Sequence, residues 1–138
     1  KALGNDSWSI RHKAVIALSK APKTLEEENI LLGKIADRDA DVMRAAVEAA
    51  ALINIGVQHF ATVKNLARND SWSVRLEATR LLGRIGSPAA IREMIAHISD
   101  RDTDVFNEIV KQLHATKPKE AELPSYEREQ KFEKMCSI

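Results

Sequence analysis

The chain is poor in cysteine, aromatic residues, net charge and long apolar runs, and each shortage narrows what it can be. Its single cysteine, Cys136, rules out an internal disulfide, and the absence of a disulfide framework points to a reducing, intracellular compartment. Aromatics make up only 4% of residues while alanine and leucine are plentiful, which is the composition of packed helices rather than of a β-sandwich. The 21 basic and 20 acidic residues leave a net charge of +1, so no whole-molecule field argues for nucleic acid or an anionic membrane. No apolar run approaches the roughly 20 residues needed to span a bilayer, and the N-terminus carries no signal-peptide pattern. These shortages describe a soluble, cytoplasmic protein. At 138 residues and 44% apolar, the chain can build one ordinary core.

What the chain has is a returning phrase. Asn5-Asp-Ser-Trp-Ser-Ile-Arg11, Asp37-Arg-Asp-Ala-Asp-Val-Met43, Asn69-Asp-Ser-Trp-Ser-Val-Arg75 and Asp100-Arg-Asp-Thr-Asp-Val-Phe106 follow one another at intervals of 32, 32 and 31 residues. A period of that length marks a supersecondary unit that buries its apolar face only by stacking on copies of itself. The expected fold is therefore all-α, an α-α superhelix of about four repeats with period 31–32.

Within each unit the phrase opens a helix, here called helix B. From the anchors Ile10, Val42, Val74 and Val105, steps of four reach Ala14, Ala46, Ala78 and Ile109. Steps of seven and eight reach Ala17 and Leu18, Ala49 and Ala50, Leu81 and Leu82, and then Gln112 and Leu113. This is one apolar helical stripe, broken only by Gln112. Ser7, Asp39, Ser71 and Asp102 stand where N-caps belong, and Asp41 and Asp104 place negative charge in the first turn. Gly56 and Gly86 are expected to end helices.

A helix A precedes each phrase. Thr24-Leu-Glu-Glu27 is a capping box leading into Leu31, Leu32 and Ile35. Ser87-Pro88 is an N-cap followed by a first-turn proline, leading into Ile91, Met94, Ile95 and Ile98. Val57, Phe60, Val63 and Leu66 mark the third such helix. The first repeat has only Lys1 to Gly4 before its phrase, so it is truncated to helix B. That register, and a chain opening on lysine, predicts a piece of a longer array or a cover over this end from elsewhere. Residues 1–115 form the repeat domain; 116–138 read as a polar, two-proline linker and a short C-terminal helix or tail.

Asp37-Arg-Asp-Ala-Asp-Val42 with Ala46, and Val74-Arg75 with Ala78, Leu82, Ile85 and Gly86, resemble the HEAT repeat. The subtype is the short one of the phycobilin lyases, within the armadillo-like α-solenoids. The resemblance covers residues 1 to about 115. It implies contacts along the stack between the Val-Arg arginine and the acidic turns. The chain departs from that pattern at Met43 and Phe106, where the arginine is missing. Repeats one and three share Asn-Asp-Ser-Trp-Ser, and two and four share Asp-Arg-Asp, so a unit of about 64 residues was itself duplicated.

Each candidate site has a plainer alternative. Trp8 and Trp72 are either binding anchors, since tryptophan is enriched at hot spots, or rings that cover the adjacent helix A; the second use is preferred. Arg11 and Arg75, with Asp6, Asp37, Asp70 and Asp100, form either an anion site or, preferably, a ladder between turns. The deoxyhypusine hydroxylases share the implied fold and bind iron through His-Glu dipeptides, but His12, His59, His97 and His114 form none. No HExxH or CxxC occurs either, so no metal or other cofactor is expected. In the resembled family helix B lines the concave side. That places His12, Arg44, Glu48, Leu76, Arg80, Lys111 and His114 there, with Lys13 and Arg84 nearby, interrupted by Glu48, Glu77 and Glu108. This mixture suits a protein partner better than phosphate tracking. The implied function is a protein-protein interaction scaffold or adaptor without catalysis. A bilin-lyase-like enzyme or chaperone and a nucleic-acid-binding HEAT-like domain are the alternatives.

Overall fold

The computed structural model describes residues 5–20 and 24–115, whose regular structure is entirely helical, with no strand among them. Seven α-helices follow in order: α1 Trp8–Lys20, α2 Leu25–Gly33, α3 Ala40–Ala51, α4 Phe60–Leu66, α5 Trp72–Ile85, α6 Pro88–Ala96 and α7 Thr103–Ala115. Single 3₁₀ turns extend α2 through Lys34–Ala36 and lead into α4 at Val57–His59. The proposed linker and tail at 116–138 lie outside the described residues.

All four phrases open with one local device. The side-chain oxygen of Asn5, Asp37, Asn69 and Asp100 accepts the backbone N–H two residues on, each at 2.9 Å. Such an Asx turn bends the chain and competes with helix, so the helix starts just after it. Asp39 then caps α3 through the N–H groups of Asp41 and Val42, and Asp102 takes the N–H of Val105 at 3.1 Å. Ser71 occupies the N-cap of α5 but makes no capping bond; its hydroxyl lies 2.9 Å from that of Ser73. Asp39→Ala is therefore expected to cost about 1 kcal/mol in urea denaturation, and Ser71→Ala less than about 0.5 kcal/mol.

The capping box at Thr24 and Glu27 and the Ser87 cap before Pro88 form as expected. Gly86 ends α5 in the left-handed region, at φ 62° and ψ 10°. Gly56 does not end α3. That helix stops at Ala51, and Ile53 and Ile55 are both buried. Residues 54–56 have already left the helix. Gly56 is itself extended and precedes the 3₁₀ turn. The same irregularity leaves Val57, an expected stripe residue, exposed while Val63 and Leu66 are buried.

Each of the last three phrase helices packs against the helix before it: α3 on α2, α5 on α4, α7 on α6. Val42, Ala46 and Ala49 thereby join Leu31, Leu32 and Ile35 in the core, as Val105, Ile109 and Leu113 join Ile91 and Met94. The stripe on α1 has no such cover among the described residues. Ile10 is 44% exposed where Val42, Val74 and Val105 are buried, and α1 buries Arg11 and Val15 instead. Gln112, the break in the stripe, packs over Gly83, where a Cβ would collide with its side-chain amide, and donates to Glu108 at 2.7 Å.

Candidate functional site

Neighbouring phrase helices are joined in two ways. Within the first and second repeats, Arg11 lays its guanidinium in a fork against Asp37, with Nε to Oδ2 at 3.0 Å and Nη2 to Oδ1 at 3.2 Å. Its Nη1 donates to the carbonyls of Asn5 and Asp6 at 2.7 and 2.8 Å. Within the third and fourth repeats, Arg75 repeats this on Asp100, at 2.8 and 3.2 Å, and on the carbonyls of Asn69 and Asp70. Arg11 and Asp37 side chains are each only 4% exposed.

Burial alone would push the carboxyls of Asp37 and Asp100 upward. The arginine bond to each, the backbone N–H bond to each and the arginine charge outweigh it, and both are held below the ordinary carboxylate value. The ladder reading is thus the one the geometry supports. Asp6 and Asp70 enter it through backbone oxygens, and the guanidinium donors are occupied by the protein itself.

Between the second and third repeats the arginine position holds Met43, and α3 and α5 stand apart across an apolar cleft of about 140 Å³. Ile35, Val47, Ala50, Ala51 and Leu81 line it together with Glu77, Arg80 and Arg84. Arg84 reaches across to the end of α3, donating to the carbonyls of Ala50 and Ile53. The Ala50 carbonyl also accepts the Ile53 N–H at 3.1 Å, and Arg84 adds a side-chain cap from α5 to this end of α3.

On the other side of α5, a shallower depression of about 270 Å³ opens toward α7 between Leu76, Arg80, Asp104, Asn107, Glu108 and Lys111. Arg80 borders both depressions. It pairs with Glu77 at 2.6 Å and with the buried Glu108 at 3.3 Å. Burial pulls its pKa down, but the charges and hydrogen bonds of the two carboxylates more than reverse this, so it stays ionised.

The sequence-derived candidates thus fall into distinct groups. Arg80, Leu76, Lys111, Arg84, Glu77 and Glu108 are brought together around these two depressions. Arg80 and Arg84 are also structural, which makes both unsuitable for charge reversal. Arg44 is exposed and 3.4 Å from Asp41, Glu48 is exposed on the same helix, and Lys13 and His114 are exposed on α1 and α7. His12 lies edge-on to Trp8, with ring centroids 6.3 Å apart. Trp8 and Trp72 are 50% and 47% exposed. About half of each tryptophan is thus open to solvent.

His59, weighed in the sequence only as a metal ligand, has its side chain fully buried between α2 and α4. Its Nδ1 accepts the Gly56 N–H at 3.1 Å, which puts the ring proton on Nε2, donating to Glu28 at 3.0 Å. Thr62 adds a bond to Asn29 at 2.9 Å across the same pair of helices. The available signal was His59 three residues after Gly56, the spacing of a capping box with the imidazole in place of the carboxylate. A second histidine–carboxylate pair, His97 with Glu93 at 2.7 Å, lies on α6 and its C-cap, where Arg68 of the α4–α5 turn also reaches Glu93. Among the described residues, no group of three or more histidine, cysteine or acidic side chains could hold a metal ion. No helix there is long and apolar enough to cross a membrane.

No family model matches the chain, and no curated protein does. Among solved structures, the crystal structure of an engineered protein is similar, at 17% identity and a TM-score of 0.52. The match covers 83% of this chain and 59% of that one, so this chain spans about three-fifths of its length. At that identity the likeness is one of fold.

Proposed function

We propose that the chain is a HEAT-type interaction scaffold that binds another protein across the exposed surface of α3, α5 and α7. The observation that carries this reading is the pair of depressions meeting at Arg80 on either side of α5, one apolar and one bordered mostly by charged and polar side chains. An apolar recess beside mixed, partly neutralised charge is the makeup of a protein-docking surface, with a buried centre and a polar rim. Glu77 and Glu108 neutralise the cation at the middle of this surface, which disfavours tracking a phosphate backbone. The resemblance of the phrases to HEAT repeats supports the same class by analogy of fold.

The test uses exposed positions that bridge no two helices; the contact of Arg44 with Asp41 is a solvent-exposed pair within one helix. The double variant Arg44→Glu, Lys111→Glu should keep wild-type helicity and weaken capture of the partner by about tenfold or more. Arg92→Glu, an exposed change on α6, should leave capture intact. Equal capture by all three proteins would remove this surface from consideration.

A further inference from the structure

The three joins between successive phrase helices are not alike. A clasp closes the first and the third, where Arg11 holds Asp37 and Arg75 holds Asp100. At the second join both halves of the clasp are missing. Met43 stands in the place of the arginine on α3, and Asn69 stands where Asp37 and Asp100 stand in the phrases that receive an arginine.

The second join is fastened along its other edge. There α2 packs on α4, and two side-chain bonds tie them, His59 to Glu28 at 3.0 Å and Thr62 to Asn29 at 2.9 Å. On the opposite edge α3 and α5 stand apart across the apolar cleft of about 140 Å³. The third join is built the other way round: α5 lies along α7, and α4 and α6 stand apart. Arg84 bridges the cleft to the carbonyls of Ala50 and Ile53, at the end of α3 away from Met43. Ile35, Val47 and Leu81 line the gap, so drawing its walls together adds contacts that the open form lacks.

We propose that the second join is a hinge: the unit α1–α3 and the unit α4–α7 rock as bodies about the bonded α2–α4 edge, opening and closing the cleft between α3 and α5. Hinge closure moves elements whose own packing stays intact, and the clasps at the first and third joins keep each unit fixed within itself. Residues 52–56, the irregular link from α3 to the turn before α4, take up the rotation, as loop positions do in hinges. In the closed form α3 approaches α5 as α1 approaches α3. The motion belongs to the chain itself and does not depend on what the cleft receives.

Pairs of spin labels on the 138-residue chain, in a Cys136→Ser background, read the hinge directly. Labels at exposed positions serve: Lys13→Cys with Glu48→Cys inside the first unit, Arg92→Cys with Lys111→Cys inside the second, and Glu48→Cys with Lys111→Cys across the join. In frozen solution the distance distribution across the join should be at least about twofold wider than either distribution within a unit, because freezing traps the positions of a hinge. Met43→Arg with Asn69→Asp supplies both halves of the clasp. It should narrow the cross-join distribution to the width found within a unit, leaving the distances within the units unchanged. Asn69→Asp alone lacks the guanidinium and should leave the cross-join distribution as wide as in the wild type. A wild-type distribution across the join as narrow as those within the units would overturn the proposal. So would one that the completed clasp fails to narrow, or that Asn69→Asp narrows without the arginine.

Discussion

Arg75→Ala is expected to destabilise the chain by about 3–5 kcal/mol, lowering its melting temperature by roughly 10–15 °C. The reason is asymmetry. With the guanidinium gone, the carboxylate of Asp100, only 7% exposed, keeps its desolvation cost without its partner, and the carbonyls of Asn69 and Asp70 lose a donor. Arg75→Lys restores the charge but not the fork, so it recovers only part of the loss. The effect carries a pH signature. Because the folded-state pKa of Asp100 lies below the ordinary 3.8, the unfolded chain takes up this proton first as pH falls. The stabilisation is present above about pH 4 and is lost as pH drops through the folded value. Urea midpoints should therefore fall steeply below about pH 4 in the wild type. The Asp37→Asn, Asp100→Asn double variant should show a shallower slope.

His59→Ala is expected to cost about 3 kcal/mol in urea denaturation, from the cavity and from two stranded polar groups. The Gly56 N–H and the Glu28 carboxylate both terminate on this buried ring. His59→Leu separates the contributions: it fills the space yet leaves both groups unpaired, and a loss of about 2 kcal/mol should remain. A His59→Leu protein as stable as wild type would mean that the ring contributes packing alone.

Much of this framework was legible because the phrase encodes local chemistry. Asx turns, caps and stripe spacing act within a few residues, so Asp39, Thr24, Ser87 and Gly86 do what their positions imply. The ladder was legible too, and the alternation of Arg11 and Arg75 with Met43 and Phe106 now has a geometric counterpart. The arginine is present where a phrase helix lies close along the next one, in the first and third repeats, and absent from α3, which stands off from α5.

What stayed hidden depends on neighbours that a repeat pattern does not specify. Ile10 and Val74 occupy equivalent places, but α4 covers Val74 while no helix among the described residues covers Ile10 in the same way. Arg80 and Arg84 read as free surface cations, yet one is held by Glu77 and Glu108 and the other caps α3 from across the cleft. Gln112 looks like a fault in the stripe until Gly83 on the adjacent helix is seen to make room for it. His59 has no histidine counterpart in the neighbouring repeats, where Glu27 and Ala90 stand one period away. The recurring arginines and aspartates fasten phrase helices to one another, whereas His59, Arg84 and Gln112, which do not recur, each fit one particular neighbour.

That division is tested most directly by two double-mutant cycles, Arg75 with Asp100 and Arg11 with Asp37, each residue changed to alanine singly and together and measured by urea denaturation. The account predicts coupling of about 1.5–3 kcal/mol within each pair, and additivity within about 0.5 kcal/mol for the crossed combination of Arg11 with Asp100. Additive effects within the pairs would contradict it, because the repeated arginines and aspartates would then not be what fastens one repeat to the next.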